Sequence, residues 1–181
     1  ACFHCGLMDE MLMPLAFAVT AVKLVIANAR RDLKVLAVRR MRRHAIICGT
    51  GDTGRHIAEH LADTGQAVVM IALDGQSANT LACERRGIPV LQGNALETNL
   101  LRSAGLLRAS SLFVACGSDA TNIEVGLRAL AASVRRKLAD PITIMPEMRS
   151  EWLYDQVQAH RTALQATAYA HFRIFNLNAN A

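Results

Sequence analysis

Between residues 44 and 146 short apolar runs alternate with longer segments whose apolar positions recur every three to four residues. The runs at 44–49, 67–73, 88–91, 111–116 and 142–146 have strand length, and the stretches at 53–64, 77–86, 96–104, 119–138 and 150–160 carry helical spacing. Gly65, Gly87 and Gly105 fall where three of these helices should end. Phe172-Arg-Ile-Phe-Asn-Leu177 adds a sixth candidate strand. Alternation of this kind predicts a parallel sheet covered by helices on both faces, with any ligand at the carboxyl ends of the first and fourth strands, where strand order reverses.

Ahead of these elements, Met11 to Ala27 form a 17-residue apolar stretch interrupted by Pro14 and Lys23. A spanning helix needs about 20 apolar residues. Lys23 lies near one end, where its stem can snorkel, and an arginine cluster begins three residues after the apolar stretch stops, as on a cytoplasmic flank. Asp9 and Glu10 precede the stretch, which argues against a secretory signal. The expectation is a transmembrane helix ending near residue 29; the alternative is a soluble amphipathic helix that buries its apolar face against a partner subunit. Residues 30–43 follow as a basic linker helix, with Leu33, Leu36 and Ala37 near one another in helical spacing.

The turn after the first strand reads Gly49-Thr-Gly-Asp-Thr-Gly54, which is the pattern Gly-x-Gly-x-x-Gly. Set between a strand and a helix, it opens a dinucleotide-binding βαβ unit. Gly49 makes the tight turn, Gly51 lets backbone approach a pyrophosphate and Gly54 packs the helix close to the sheet. The helix N-terminus offers N–H groups and a positive dipole end to an anion. Three further polar loops converge on the same crevice: Asp74 after the second strand, Gln92-Gly93-Asn94-Ala95 after the third, and Cys116-Gly117-Ser118-Asp119 after the fourth. The predicted architecture is therefore α/β, a Rossmann-like doubly wound parallel sheet over residues 44–181, preceded by an apolar helix (1–29) and a basic linker helix (30–43). The candidate binding residues are Gly49, Thr50, Gly51, Asp52, Thr53, Gly54, Asp74, Asn94, Ala95, Cys116 and Gly117.

Composition narrows the class. Apolar residues make up 52% of the 181 and aromatics only 4%, so the core must be built from Ala, Val, Leu and Ile. The net charge of +5 is concentrated in residues 30–43, where seven cations face one acid, leaving a nearly neutral domain behind a basic neck. No aromatics interleave with those arginines, so nucleic acid is not an expected partner. Five cysteines, an odd number, read as reduced thiols. Cys2-Phe3-His4-Cys5 has the spacing of half a zinc site with no second half, and His56 and His60 share a helix face without a third ligand, so no metal site is expected.

Residues 44–148 resemble the TrkA-N or RCK (regulator of potassium conductance) domain. The likeness rests on Ala45-Ile-Ile-Cys-Gly-Thr-Gly-Asp-Thr-Gly54, Gly87-Ile-Pro-Val-Leu-Gln-Gly-Asn-Ala95, Leu100-Leu-Arg-Ser-Ala-Gly105, Ala109-Ser-Ser-Leu-Phe-Val-Ala115 and Asp119-Ala-Thr-Asn122, in the family's order. The resemblance implies a regulatory domain that binds NAD(H) or another adenine nucleotide, forms a homodimer or higher homo-oligomer, and shifts a potassium pathway between states. The apolar segment and basic neck are similar to family members in which a membrane helix runs into this domain, which implies the cytoplasmic face of a bacterial inner membrane. No Thr-Val-Gly-Tyr-Gly filter occurs, so the pathway would lie upstream or in another chain. The tail from Phe172 is similar to a last strand and the start of a following helix in a bacterial subgroup, so the sequence, which begins at Ala1, is expected to be cut at both ends.

The departures from the family pattern fall on the adenosine side. The acid that usually closes the second strand and holds the ribose hydroxyls is here Ala72, with Asp74 two residues beyond, roughly 6.6 Å along a strand. Asn94 stands where the family has an aspartate, and Asp52 where many members carry a base, with Arg55 following. These changes leave open a phosphorylated ribose, a weaker site, or a degenerate module that works through dimerisation alone. An NAD(P)-dependent oxidoreductase is the less favoured class. Few residues lie beyond the sheet, and the Tyr-x-x-x-Lys pair is missing, since Tyr154 is followed at +4 by Gln158 and Tyr169 by Arg173. No catalytic residue is expected.

Overall fold

The computed structural model describes residues 6–134, 140–159 and 169–176, with side chains described within 16–25, 33–134, 140–156 and 169–176. Residues 135–138 of the expected fifth helix, His160, the end of the expected sixth strand and the Cys2–Cys5 pair lie outside the described residues. The chain divides into two compact units, Ala1–Lys34 and Val35–Ala181.

The larger unit holds six parallel strands: β1 (Ala45–Cys48), β2 (Val68–Ala72), β3 (Val90–Gln92), β4 (Ser111–Val114), β5 (Ile142–Pro146) and β6 (Ala170–Phe172). Their order across the sheet is β3-β2-β1-β4-β5-β6, which reverses direction between β1 and β4. The strands alternate with helices α2 (Asp52–Asp63), α3 (Ala78–Arg85), α4 (Thr98–Ser103), α5 (Asp119–Ser133) and α6 (Glu151–Ala159). The sixth strand is a correction to the expected span of 172–177. Pairing with β5 runs from Ala170 to Phe172, and beyond it Phe175 returns as a single bridge to Glu147. The apolar letters around Ile174 pack on the core without extending the ladder.

Both faces of the sheet are covered, and side chains of successive residues divide between them. Ile46, Cys48, Val69, Ile71, Leu112, Val114, Ile142 and Ile144 pack with Leu101, Leu106, Val125 and Ala129 from the α4–α5 side. Ile47, Val68, Met70, Ala72 and Val90 pack with Ala58 and Cys83 from α2 and α3. A strand buried on both faces reads as a continuous apolar run, which is why β1 and β2 are so legible in the sequence.

Helix α1 covers Gly6–Arg40. In its last turns the residues that join the larger unit's core are Val35 and Val38, followed by Met41, while Leu33, Leu36 and Ala37 are exposed. In the smaller unit the side chains of residues 16–25 are all exposed, Phe17, Val19, Val22, Leu24 and Val25 among them. Thr20 satisfies its hydroxyl within the helix by donating to Ala16 O at 2.7 Å. Among the described residues no helix is long and apolar enough to cross a membrane.

Where α1 gives way to β1, His44 is fully buried beneath Gly105. Its Nε2 lies 2.8 Å from Ala104 O and donates to it, which leaves Nδ1 as an unprotonated, buried nitrogen without a partner. Burial lowers its pKa, the hydrogen bond to Ala104 opposes that shift, and the charge of Arg108 adds to it. A histidine whose folded pKa is depressed contributes its full share of stability above the ordinary value of about 6.5, and that share is lost as pH falls below it. Urea unfolding of the wild-type chain should therefore show a midpoint that declines from pH 8 to pH 5.5. His44→Leu should flatten that decline, and an unchanged slope would show that His44 is not its source.

The seam between α2 and the sheet yields a second expectation. A methyl group placed on Gly54 would lie 2.1 Å from Gly49 O, whereas one on Gly51 meets nothing within 4 Å. Gly54→Ala should cost about 3 kcal/mol through overpacking. Gly51→Ala, at an ordinary φ of −63° but at the N-cap of α2, should cost no more than about 1 kcal/mol. Paired urea titrations of the two variants check the contrast.

Candidate functional site

The glycine loop begins where β1 ends. Gly49 sits at φ 99°, and its N–H donates to Ile71 O at 2.9 Å, so the chain turns sharply while still tied to β2. A Cβ on Gly49 would lie 2.1 Å from Ala115 O, which brings the loop directly against the end of β4. Gly51 is the N-cap of α2 and supplies no side-chain cap. The first-turn N–H groups therefore open toward the crevice without an internal acceptor, which is the arrangement that receives anions at helix N-termini.

Two sets of polar contacts flank this loop. On the β2 side, Thr80 is fully buried with its hydroxyl 2.8 Å from Ser77 Oγ, 2.9 Å from Asp74 O and 3.1 Å from Thr50 Oγ1. Asn79 Nδ2 donates to Asp52 Oδ1 at 3.2 Å. Ser77 caps α3 by accepting from Thr80 N at 3.2 Å. Gly75 closes on Gln92, whose amide oxygen would be 2.7 Å from a Cβ there, and so joins the β2 loop to the end of β3.

On the β5 side the central group is Glu147, a carboxylate with only 4% of its side chain exposed. Thr53 Oγ1, in the first turn of α2, donates to Glu147 Oε1 at 3.1 Å, and Arg149 Nη2 donates to Oε2 at 3.4 Å. Its main chain is fixed as firmly: Asn122 Nδ2 donates to Glu147 O at 3.0 Å, while Asn122 Oδ1 accepts from Cys116 N at 2.7 Å. Asn122 is fully buried and holds the ends of β4 and β5 together. Asp119, in the first turn of α5, accepts from the N–H groups of Arg149 and Ser150, both at 2.9 Å. Burial and the charge of Glu147 push the Cys116 thiol up to about 11. The Cys48 thiol is also raised, by full burial first and by Cys116 second. Both are protonated, inert thiols at neutral pH.

The expected site residues fall into two groups. Gly49, Thr50, Gly51, Asp52, Thr53 and Gly54 form one loop, and it meets the Cys116–Gly117 turn across the β1–β4 seam. Asp74 and Asn94 are at the expected strand ends, yet each is engaged in its own turn: Asp74 Oδ1 accepts from Gln76 N at 2.8 Å and Asn94 Oδ1 from Leu96 N at 3.0 Å. Ala95 is buried in the core. Ala72, at the ribose-acid position, is fully buried. Reading the sequence missed Glu147, Thr80 and the bridging role of Asn122. For Glu147 a signal existed, since it is a charged residue immediately past the carboxyl end of a strand, where α/β sheets place their ligands. Among the described residues no group of three or more His, Cys, Asp or Glu side chains is placed to hold a metal ion.

Several known proteins share this fold. The TrkA-N domain of the Escherichia coli inner membrane protein YbaL matches with a TM-score of 0.59 at 18% identity, covering 78% of this chain and 92% of that domain. The GsuK channel bound to NAD matches with a TM-score of 0.50 at 18% identity over 74% of this chain and 21% of that one. GsuK bound to ADP gives 0.52 at 18% identity, over 76% and 32% of the respective chains. At these identities the likeness is one of fold. An uncharacterized protein of Methanothermus fervidus is 33% identical over 89 residues, which are 49% of this chain and 14% of that protein's length, so the chain spans about one-seventh of this relative. Residues 45–162, well over half of the chain and including every element from β1 to α6, match the TrkA-N domain, and the chain belongs to that family.

Proposed function

We propose that residues 44–181 form a regulatory domain that binds NAD(H) or another adenine nucleotide across the β1–β4 seam, and that binding controls a potassium channel or transporter. The observation that carries this reading is the N-terminus of α2 without a side-chain cap, at the reversal of strand order, where a Cβ on Gly51 would meet nothing within 4 Å. The pyrophosphate would rest on N–H groups from Thr50 to Gly54, with Asp74 or Asn94 and the turns at Ala95 and Cys116–Gly117 around it. The NAD-bound and ADP-bound forms of GsuK support the ligand class. The role is one of binding and coupling, not catalysis.

The neck and apolar helix give the domain its route to a membrane. The described helix is apolar on every side between residues 16 and 25, with only Thr20 and Lys23 polar, and it exposes all of those side chains. A helix apolar all round belongs in a bilayer or inside a bundle. In sequence the apolar stretch continues on both sides, over 11–15 and 26–27, and the cations of 30–43 follow. We place that segment in an inner membrane, the domain on its cytoplasmic face, and a second copy of the domain against the first. Coupling then requires the ligand to favour one gating state over the other.

A second reading has its own observation. Ala72 offers no acid, and both Asp74 and Asn94 are already engaged within their own turns. A module with those properties could act through assembly alone. Calorimetric titration of the chain with NAD, NADH, NADPH, ATP and ADP separates the two readings. The binding reading expects micromolar affinity for at least one of them, reduced about 100-fold or more in Gly51→Val, with the variant's melting temperature unchanged. No heat from any of the five favours the assembly module, and equal affinity in Gly51→Val places the ligand elsewhere.

A further inference from the structure

Because the strands are all parallel, each helix that leads into a strand ends at the amino edge of the sheet, opposite the glycine loop. That edge collects arginines. Arg39 and Arg40 are in the last turn of α1, Arg85 in that of α3 and Arg102 in that of α4, while Arg42 and Arg108 lie in the loops that enter β1 and β4. Arg108 is half-buried and the others are exposed. Among the described residues none of them forms an ion pair. The exposed acids of this edge are already committed, Asp140 to Arg43 at 2.8 Å and Asp63 to Arg86, and Glu84 is half-buried.

The arginines stand on a braced rim. Arg43 N donates to Arg108 O at 2.8 Å, Arg108 Nε to Met41 O at 3.4 Å and Gln66 Nε2 to Arg43 O at 3.0 Å, which ties together the loops entering β1, β2 and β4. A cation in the last turn of a helix offsets the negative end of the helix dipole, and that accounts for several of them one at a time. It does not account for Arg42 and Arg108, which lie outside helices. On α1, Val35 and Val38 face the core, and the side turned away from them presents Leu36, 48% exposed, between Arg39 and Arg40. A leucine set among guanidinium groups suits a surface with an apolar layer behind its anions. RNA offers the phosphates without that layer.

We propose that the amino edge of the sheet is a docking surface for an anionic phospholipid bilayer, with its guanidinium groups on headgroup phosphates and Leu36 at the acyl boundary. The inference extends the membrane placement of the neck and does not depend on the nucleotide site. It orients the domain: the strands stand with their amino ends on the headgroups, and the glycine loop lies at the far edge. Attraction of this kind acts within about a Debye length and changes partition about fivefold for each arginine near the surface.

The test is sedimentation of the chain with vesicles of phosphatidylcholine alone and of phosphatidylcholine mixed equally with phosphatidylglycerol. Binding to neutral vesicles reports the apolar stretch, and the ratio of anionic to neutral binding reports the edge. Wild type should favour the anionic vesicles about 100-fold at low salt, and high salt should remove most of that ratio. Arg85→Gln and Arg102→Gln, on the domain and outside the neck, should each lower it about fivefold. Arg128→Gln, which removes the same charge from the middle of α5, should leave it unchanged. A ratio near one overturns the assignment. A ratio that survives in both Arg85→Gln and Arg102→Gln also overturns it, because the attraction then belongs to the neck alone. An equal fall in Arg128→Gln does so too, because net charge then suffices. Tighter binding to polyuridylic acid than to the anionic vesicles, weakened by the same substitutions, overturns it in favour of nucleic acid. Binding to the anionic vesicles alone, sensitive to Arg85 and Arg102, supports the docking edge while removing the membrane placement of the apolar stretch.

Discussion

The close approach of α2 to the β1–β4 seam governs the rest of the structure. Gly49 lies against Ala115 O and Gly54 lies over Gly49 O, each at a distance that excludes even a methyl group. Those two contacts set how near the helix comes to the strands, and hence where its first-turn N–H groups point. They also leave Gly51 as the one glycine of the motif whose missing side chain faces open space. Packing and recognition are thus divided among three residues of the same type. The same turn carries Thr53 to Glu147, so the position of the buried carboxylate follows from the same approach.

Around that seam the molecule builds a continuous polar floor. Gln92, Gly75, Asp74, Thr80 and Thr50 link the ends of β3, β2 and β1, and Asn122, Cys116 and Glu147 link β4 and β5. The strand ends are joined by side chains of which Thr80, Asn122 and Glu147 are buried, so the loops at these ends are held in place. Preorganisation of this kind reduces what a ligand must order on binding. It also explains why Asp74 and Asn94 contribute as turn formers: the loops that carry them are held by their own Asx hydrogen bonds.

Most of the fold could be read from the sequence because a parallel sheet buried on both faces leaves long apolar runs separated by amphipathic helices. Gly-x-Gly-x-x-Gly located the first turn, since its three glycines answer to steric demands that local sequence shows. What escaped depended on tertiary context. Ala170–Phe172 is a short edge strand whose start is set by pairing with Ile142–Ile144, and no local pattern favours it over the apolar letters at 174–177. On α1 the helical spacing alone does not say whether Leu33, Leu36 and Ala37 or Val35 and Val38 meet the domain. Only the docking partner decides between them, and it selects the valines. Glu147 was overlooked although its place just past the carboxyl end of β5 was a signal; its bond to Thr53, 94 residues away, is a tertiary contact that local sequence does not show.

A nucleotide lying across the β1–β4 seam, as proposed, would be detected by amide hydrogen exchange at the residues concerned. Addition of saturating NAD to the chain should slow exchange at Gly51–Gly54 and at Cys116–Gly117 together, leaving β6 and the turn at Gly65 unchanged. No change in either loop, or protection confined to the outer helices, would contradict it.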